Sequence, residues 1–245
     1  MVPVYTMDTE VTTFDVGPER KLKYSMLLRY LQEAADRQMR EDGMSYETLR
    51  DKGVVFVLTR ADVAVTRLPE PGENIEAKTW FDGYSGVKFV RSLLVADAQG
   101  KTLAQAKTEW VTVDPDKHRI VRPSAFPFPY KATAAQNGCV EAPRVVVKPD
   151  KVPAEDWQTF SRDIRRSDVD FNGHVNNAVY ADLICDYFPF GLQSRELEYF
   201  GINFSGEARE GDELLIRSAG RGQDAVICGT IGGRRCFEAA ARCRG

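Results

Sequence analysis

Residues 63–75, VAVTRLPEPGENI, superimpose on residues 202–214, INFSGEAREGDEL, with Gly72 on Gly211 at an offset of 139. Each string leads a strand-like run into a turn that holds the matched glycine, and then toward the next run. Upstream, LKYSMLLRYL at 22–31 pairs with VNNAVYADLI at 175–184 at an offset of 153. The offsets differ by 14 residues, which fits a shorter helix and helix-to-strand connection in the second copy. One helix-and-sheet unit therefore occurs twice.

The elements around these strings follow one order in both copies. In the first, Tyr24, Leu27, Leu28, Leu31, Ala34 and Ala35 recur at helical spacing up to about Asp42, and Gly43 ends the helix. Four strand-like runs follow between Val54 and Asp114, separated by turn signals such as Pro69-Glu70-Pro71-Gly72 and Asp82-Gly83. Seven of the twelve prolines then fall between Pro115 and Pro153, as in a crossing linker. In the second copy a strand, TFSRDIRR, precedes a helix from Asn177 to Tyr187 that Pro189 ends, and four more strands follow. The expected class is α+β, with tandem units at 1–130 and 157–245 joined by a linker at 131–156.

Composition narrows the function. A chain of 245 residues with 43% hydrophobic and 28% charged residues has an ordinary globular balance. A formal charge of −3 speaks against nucleic-acid binding as its main task. The longest apolar runs are short, such as Val54 to Leu58, so no membrane span is expected. The opening MVPVYTMDTEVTTF lacks the basic and apolar regions of a secretory signal, and a cytoplasmic setting is expected. Five cysteines without CxxC or Cys/His ligand spacing read as reduced, mostly buried thiols, with no metal site.

The densest chemistry lies at Ser167 to Asn176, SDVDFNGHVN, which holds one of only two histidines. Asp170, Asn172 and His174 stand at two-residue spacing just ahead of the second helix. A carboxylate, an amide and an imidazole at a helix start can orient one another and polarise a carbonyl with backbone N–H groups. The structural alternatives are a hydrogen-bonded histidine under a turn, Asp168 and Asp170 as turn residues, and Asn176 or Asn177 as the helix cap. Under the repeat registration these three residues correspond to Gly17, Glu19 and Lys21, and Glu207 corresponds to Leu68. Only the second copy carries the chemistry, which leaves the first free to bind a chain. Glu207 reads as a residue of a half-buried strand with Ile202 and Phe204. No Gly-x-Ser-x-Gly elbow is present, and no cysteine is paired with His174 by spacing.

SDVDFNGHVNNAVYADLI, the preceding RRSD and the later LEYFGINFSGEAREGDEL resemble the acyl-acyl-carrier-protein thioesterase family of plants and bacteria. LLRYLQEAADRQMREDGMSYE, VLTRADVAVTRLPEPGENIEAKTW and AKTEWVTVD extend the resemblance over nearly the whole chain. It implies a double hotdog fold, each half a long helix wrapped by an antiparallel sheet. It places catalytic roles on Asp170, Asn172, His174 and Glu207, where plant members commonly follow the glutamate with a cysteine and this chain has Ala208. It implies a thioester hydrolase acting on fatty acyl-carrier protein without a cofactor, as a monomer or homodimer. The acyl chain is expected along the first helix, at Met26, Leu27 and Tyr30. The acidic carrier is expected at Arg165 and Arg166, Arg119 and Arg122, or Arg234 and Arg235. Alternatives are a hotdog acyl-CoA thioesterase, an enoyl hydratase of hotdog type and a noncatalytic acyl-binding regulator.

Overall fold

The computed structural model describes residues 4–129, 144, 148–189, 191–192 and 195–245. The first half consists of β1 (Tyr5–Glu10), α1 (Tyr24–Glu41), α2 (Tyr46–Asp51), β2 (Val55–Val65), β3 (Asn74–Ser85), β4 (Lys88–Asp97), β5 (Thr102–Asp114) and β6 (Arg119–Val121). The second consists of β7 (Gln158–Asp163), α3 (Val179–Asp186), β8 (Leu197–Phe204), β9 (Glu213–Arg221), β10 (Asp224–Ile231) and β11 (Arg234–Cys243). Three elements carry no strong sequence signal: β1, the single-turn-scale α2 and the short β6. The expected linker at 131–156 lies mostly outside the described residues, and its described part, 148–156, holds two 3-10 turns.

Among the described residues, all strands join one eleven-stranded antiparallel sheet in the order β1-β3-β4-β5-β2-β8-β11-β10-β9-β7, with β6 paired to β5. The order is the same when read inward from either end, so β2 and β8 form the seam. Across the seam Arg60 faces Asn203, Asp62 faces Gly201 and Ala64 faces Tyr199. An offset of 139 maps Arg60 onto Tyr199 and Ala64 onto Asn203, so this register is its own image under the repeat. The connecting loops repeat as well: Val11 N donates to Glu73 O, as Ile164 N does to Asp212 O. Together these features make a double hotdog.

Helix α1 buries Leu27, Leu28, Leu31, Ala34 and Ala35 on one stripe and pairs Arg37 with Glu33 on the other, as an amphipathic helix on a sheet should. Helix α3 has eight residues against eighteen in α1, because Pro189 follows so closely, and buries Val179, Tyr180, Ala181, Leu183 and Ile184. Both helices feed one core that runs through both halves. Tyr24 meets Phe200 edge-on at 5.8 Å across that junction. Phe200 is completely buried, so Phe200→Ala should cost about 3–5 kcal/mol in urea denaturation. A loss under about 1 kcal/mol would mean the shared core does not couple the halves.

Cys236 and Cys243 are buried, Cys185 and Cys228 half-buried, and all four are free thiols; Cys139 lies outside the described residues. Among the described residues no helix is long and apolar enough to cross a membrane.

Candidate active site

Between β7 and α3 the chain makes a tight, internally bonded loop. Asp168 anchors it: its Oδ2 accepts the Arg165 N–H at 2.9 Å and its Oδ1 accepts Arg162 Nη2 at 2.7 Å. The loop closes on itself through Asp170 N to His174 O at 2.9 Å and Gly173 N to Asp170 O at 3.0 Å. Gly173 takes a φ of 76°, which a side chain would strain. Val175 N then donates to Ala208 O at 2.8 Å, which ties this loop to the one after β8. Asp168→Ala should remove about 1–3 kcal/mol by thermal unfolding and lower turnover as well. Unchanged stability and turnover would show that the loop does not depend on this anchor.

That tie brings His174 and Glu207 together, with His174 Nε2 3.0 Å from Glu207 Oε2. Arg209 Nη2 reaches the same Oε2 at 3.1 Å, while Oε1 has no partner among the described residues. Glu207 differs from the sequence expectation. Strand β8 ends at Phe204, and Ser205 and Gly206 both donate to Cys236 O, so Glu207 is 60% exposed on a loop. Gly206 allows the turn, because a Cβ there would stand 2.9 Å from Arg235 O.

Asp170 also differs from expectation. Its carboxylate does not hold the imidazole; Oδ1 accepts the Asn172 N–H at 2.8 Å and fixes the turn that presents Asn172. The Asn172 side-chain amide is exposed and without a partner among the described residues. The helix begins at Val179, two residues later than expected, with Asn176 Oδ1 accepting the Ala178 N–H at 2.9 Å just ahead of it. Asn176 thus caps the approach to the helix, and Ala178 occupies the cap position itself.

A cavity of about 600 Å³ opens between this loop and α1, bordered by Asp170, Phe171, Asn176, Tyr30, Tyr46 and Trp110. Phe171 is 81% exposed at its edge and meets Tyr46 edge-on at 5.3 Å. Gln32, Asp36 and Trp110 are shared with a second cavity of about 110 Å³, walled by Met39, Phe56, Phe81 and Phe89. A small third space continues between Leu28, Leu31, Leu58 and Ala61, with Ala35 and Arg91 on both. Of the residues expected along a chain, Tyr30 borders the first cavity, with its hydroxyl on Asp15 at 2.8 Å. Leu27 is wholly buried in the shared core and Met26 packs against it, so neither borders these three spaces.

The repeat explains why the two inner spaces lie in the first half. At an offset of 139, Ala61 matches Phe200, and at 153, Ala35 matches Phe188; both phenylalanines are buried. Paired positions in the sheet also set Ala104 of β5 against Phe237 of β11, facing Val65 and Phe204. Ala35 and Ala61 border the inner spaces, where the second half is filled by Phe188 and Phe200.

The loop frame, by contrast, is common to both halves. Gly17 N donates to Lys21 O and Leu22 N to Pro69 O, at the same offsets as Asp170 to His174 and Val175 to Ala208. Asp15 anchors the first loop through Thr12 N at 2.8 Å, as Asp168 does through Arg165. Leu68 is buried at the place of Glu207, and Lys21 pairs with Glu196 at the place of His174. Among the basic clusters, Arg166 pairs with Glu210 at 3.5 Å, and Arg234 and Arg235 open β11, where Arg235 pairs with Glu238 at 2.6 Å and its carbonyl stands behind Gly206. Glu210 and Gly206 lie on the loop that carries Glu207. Arg119 and Arg122 lie at β6, on the other half.

Comparison with known proteins accords with this geometry. The family of acyl-ACP thioesterase N-terminal domains matches residues 3–124, and that of acyl-ACP thioesterase C-terminal domains matches residues 153–230. A chloroplastic palmitoyl-acyl carrier protein thioesterase of Arabidopsis thaliana is 26% identical over 249 residues, covering 95% of this chain and 59% of the relative. The chain spans a little over half the length of this relative and of the palmitoyl-acyl carrier protein thioesterases of Gossypium hirsutum and Cuphea hookeriana. The crystal structure of an acyl-ACP thioesterase from Bacteroides thetaiotaomicron superimposes with a TM-score of 0.85 at 21% identity, covering 99% of this chain and 98% of the other. A 12:0-ACP thioesterase from Umbellularia californica superimposes with a TM-score of 0.77 at 19% identity, covering 100% and 98%.

Proposed function

The chain belongs to the acyl-ACP thioesterase family, and on that premise we propose that it hydrolyses fatty acyl-carrier-protein thioesters to free fatty acid and carrier thiol. The observation that carries this reading is the His174–Glu207 pair beside a loop that opens onto the cavity along α1. Asn172 donates its free amide to the thioester carbonyl oxygen, and Asp170 holds Asn172 in place. Glu207 takes a proton from water through Oε1, while His174 and Arg209 hold Oε2. The water oxygen bonds to the carbonyl carbon, the C–S bond breaks, and His174 gives its Nε2 proton to the leaving thiolate and recovers from Glu207 the one drawn from water. Ala208 in place of a cysteine fits this route, since water attacks directly.

The acyl chain runs past Gln32 and Trp110 into the apolar space of the first half, along Ala35, Met39, Phe81 and Phe89 in place of Met26 and Leu27. The acidic carrier docks over Arg166, which pairs with Glu210 on the loop of Glu207, and over Arg234 and Arg235 at the start of β11 behind Gly206. A hotdog acyl-CoA thioesterase is the second reading, because the same chemistry serves either thiol carrier. Producing the wild-type protein and Glu207→Gln in a bacterial host tests the activity. Free fatty acids should accumulate with the wild type and stay at the host's own level with the variant, measured by mass spectrometry. Equal profiles would remove hydrolysis as its function.

A further inference from the structure

The first-half loop keeps the backbone frame of the proposed thioester site, yet it has lost each acid, base and amide of that site. Space remains beside it. A cavity of about 740 Å³ lies between this loop and α3, bordered by Lys21 and Leu68, the counterparts of His174 and Glu207, and by Tyr24, Val179 and Cys185. Lys21, Arg195 and Glu196 form a common wall with an outer basin of about 670 Å³, which Arg67, Lys101 and Arg244 also border.

The basin has a surplus of positive charge. Lys21 and Arg244 share the single carboxylate of Glu196, and Arg67 is paired with Glu73 at 2.7 Å. Arg195 donates to the main-chain carbonyls of Gly191 and Leu192 and lies 6.0 Å over the Phe188 ring, and neither it nor Lys101 has an ion pair among the described residues. Such a cluster attracts a ligand with several negative charges. An alkyl chain is a poor fit for the inner cavity, because Phe188, Phe200 and Phe237 fill the interior behind it. A polar arm suits its mixed lining better.

We propose that this loop, the repeat image of the hydrolytic one, binds without turnover a small phosphate-bearing pantetheine compound of the coenzyme A class. Its phosphates lie over Arg67, Lys101 and Arg244, and its pantetheine arm enters beside Lys21 and Leu68. The proposal rests on the reading of residues 170–174 as the thioester loop, since the shared frame supplies the pantetheine part of the ligand.

Isothermal titration of the full chain with coenzyme A tests this, with pantetheine, adenosine bisphosphate and inorganic phosphate as separate arms. The expected result is one site for coenzyme A, weakened at least about tenfold by Lys101→Glu, because a charge-assisted contact is replaced by repulsion. Raised salt should weaken it further, and His174→Ala should leave it unchanged. No binding, equal affinity in Lys101→Glu, or loss in His174→Ala alone would overturn the proposal. Phosphate binding as tightly as coenzyme A would also overturn it, as an adventitious ion only. Turnover of His174→Ala reports separately on the hydrolytic loop: an inactive variant with coenzyme A binding insensitive to Lys101→Glu removes this proposal and leaves the hydrolase reading standing.

Discussion

Glu207→Gln should lower turnover of an acyl-carrier thioester at least about a hundredfold, the scale of a lost general base. The amide preserves the size of the side chain and its contact with His174, so what it removes is the ability of Oε1 to take a proton. His174→Ala should lower turnover to a similar extent, by removing the group that protonates the thiolate and holds Oε2. Glu207 is exposed and His174 only half-buried, so both variants should melt within a few degrees of the wild type. Wild-type turnover in either variant, measured by thiol release at saturating substrate, would remove that residue from the mechanism. A large loss in His174→Ala with a loss below about tenfold in Glu207→Gln would make Glu207 the orienting partner and His174 the base.

Ala35→Phe should shift chain-length preference sharply toward shorter acyl groups. Ala35 borders both inner spaces of the first half, and its repeat partner Phe188 fills the matching place in the second. Each buried methylene contributes about 0.8 kcal/mol, so excluding four of them removes about 3 kcal/mol, roughly a hundredfold in kcat/KM for a long chain. Short chains that end before Ala35 should be hydrolysed as before. Competition among carrier thioesters of graded length, read by mass spectrometry of the released acids, gives the profile. An unchanged profile in Ala35→Phe and in Ala61→Phe would place the acyl chain outside the first half.

The duplicated fold was legible because two turn glycines, Gly72 and Gly211, and two helix starts mark the repeat at offsets that the hydrogen bonds reproduce. The elements that escaped are short or lack a clear period. Strand β1 alternates weakly and depends on its pairing with β3, α2 has six residues, and β6 has three. Proximity of His174 to Glu207 is a tertiary fact: the segments meet through Val175 N and Ala208 O, and only the family resemblance joined them beforehand. Glu207 looked like a strand residue because the alternation of Ile202 and Phe204 gives no sign of the double donation to Cys236 O that turns the chain away. Tyr30 borders the cavity, whereas Leu27 and Met26 face the core shared by both halves. Helical period alone does not tell which flank of α1 meets space and which meets side chains. The small residues Ala35 and Ala61 opposite Phe188 and Phe200 mark that flank, and the repeat registration contains this signal.

Thiol release by the purified protein from matched fatty acyl-carrier-protein and acyl-CoA thioesters, followed across chain lengths, tests the central claim most directly. Stoichiometric release of thiol and free fatty acid is expected, with kcat/KM higher for the carrier-protein substrate at every chain length hydrolysed. No thiol release from any carrier-protein thioester would contradict hydrolysis, and uniformly faster release from CoA would contradict the carrier as the substrate.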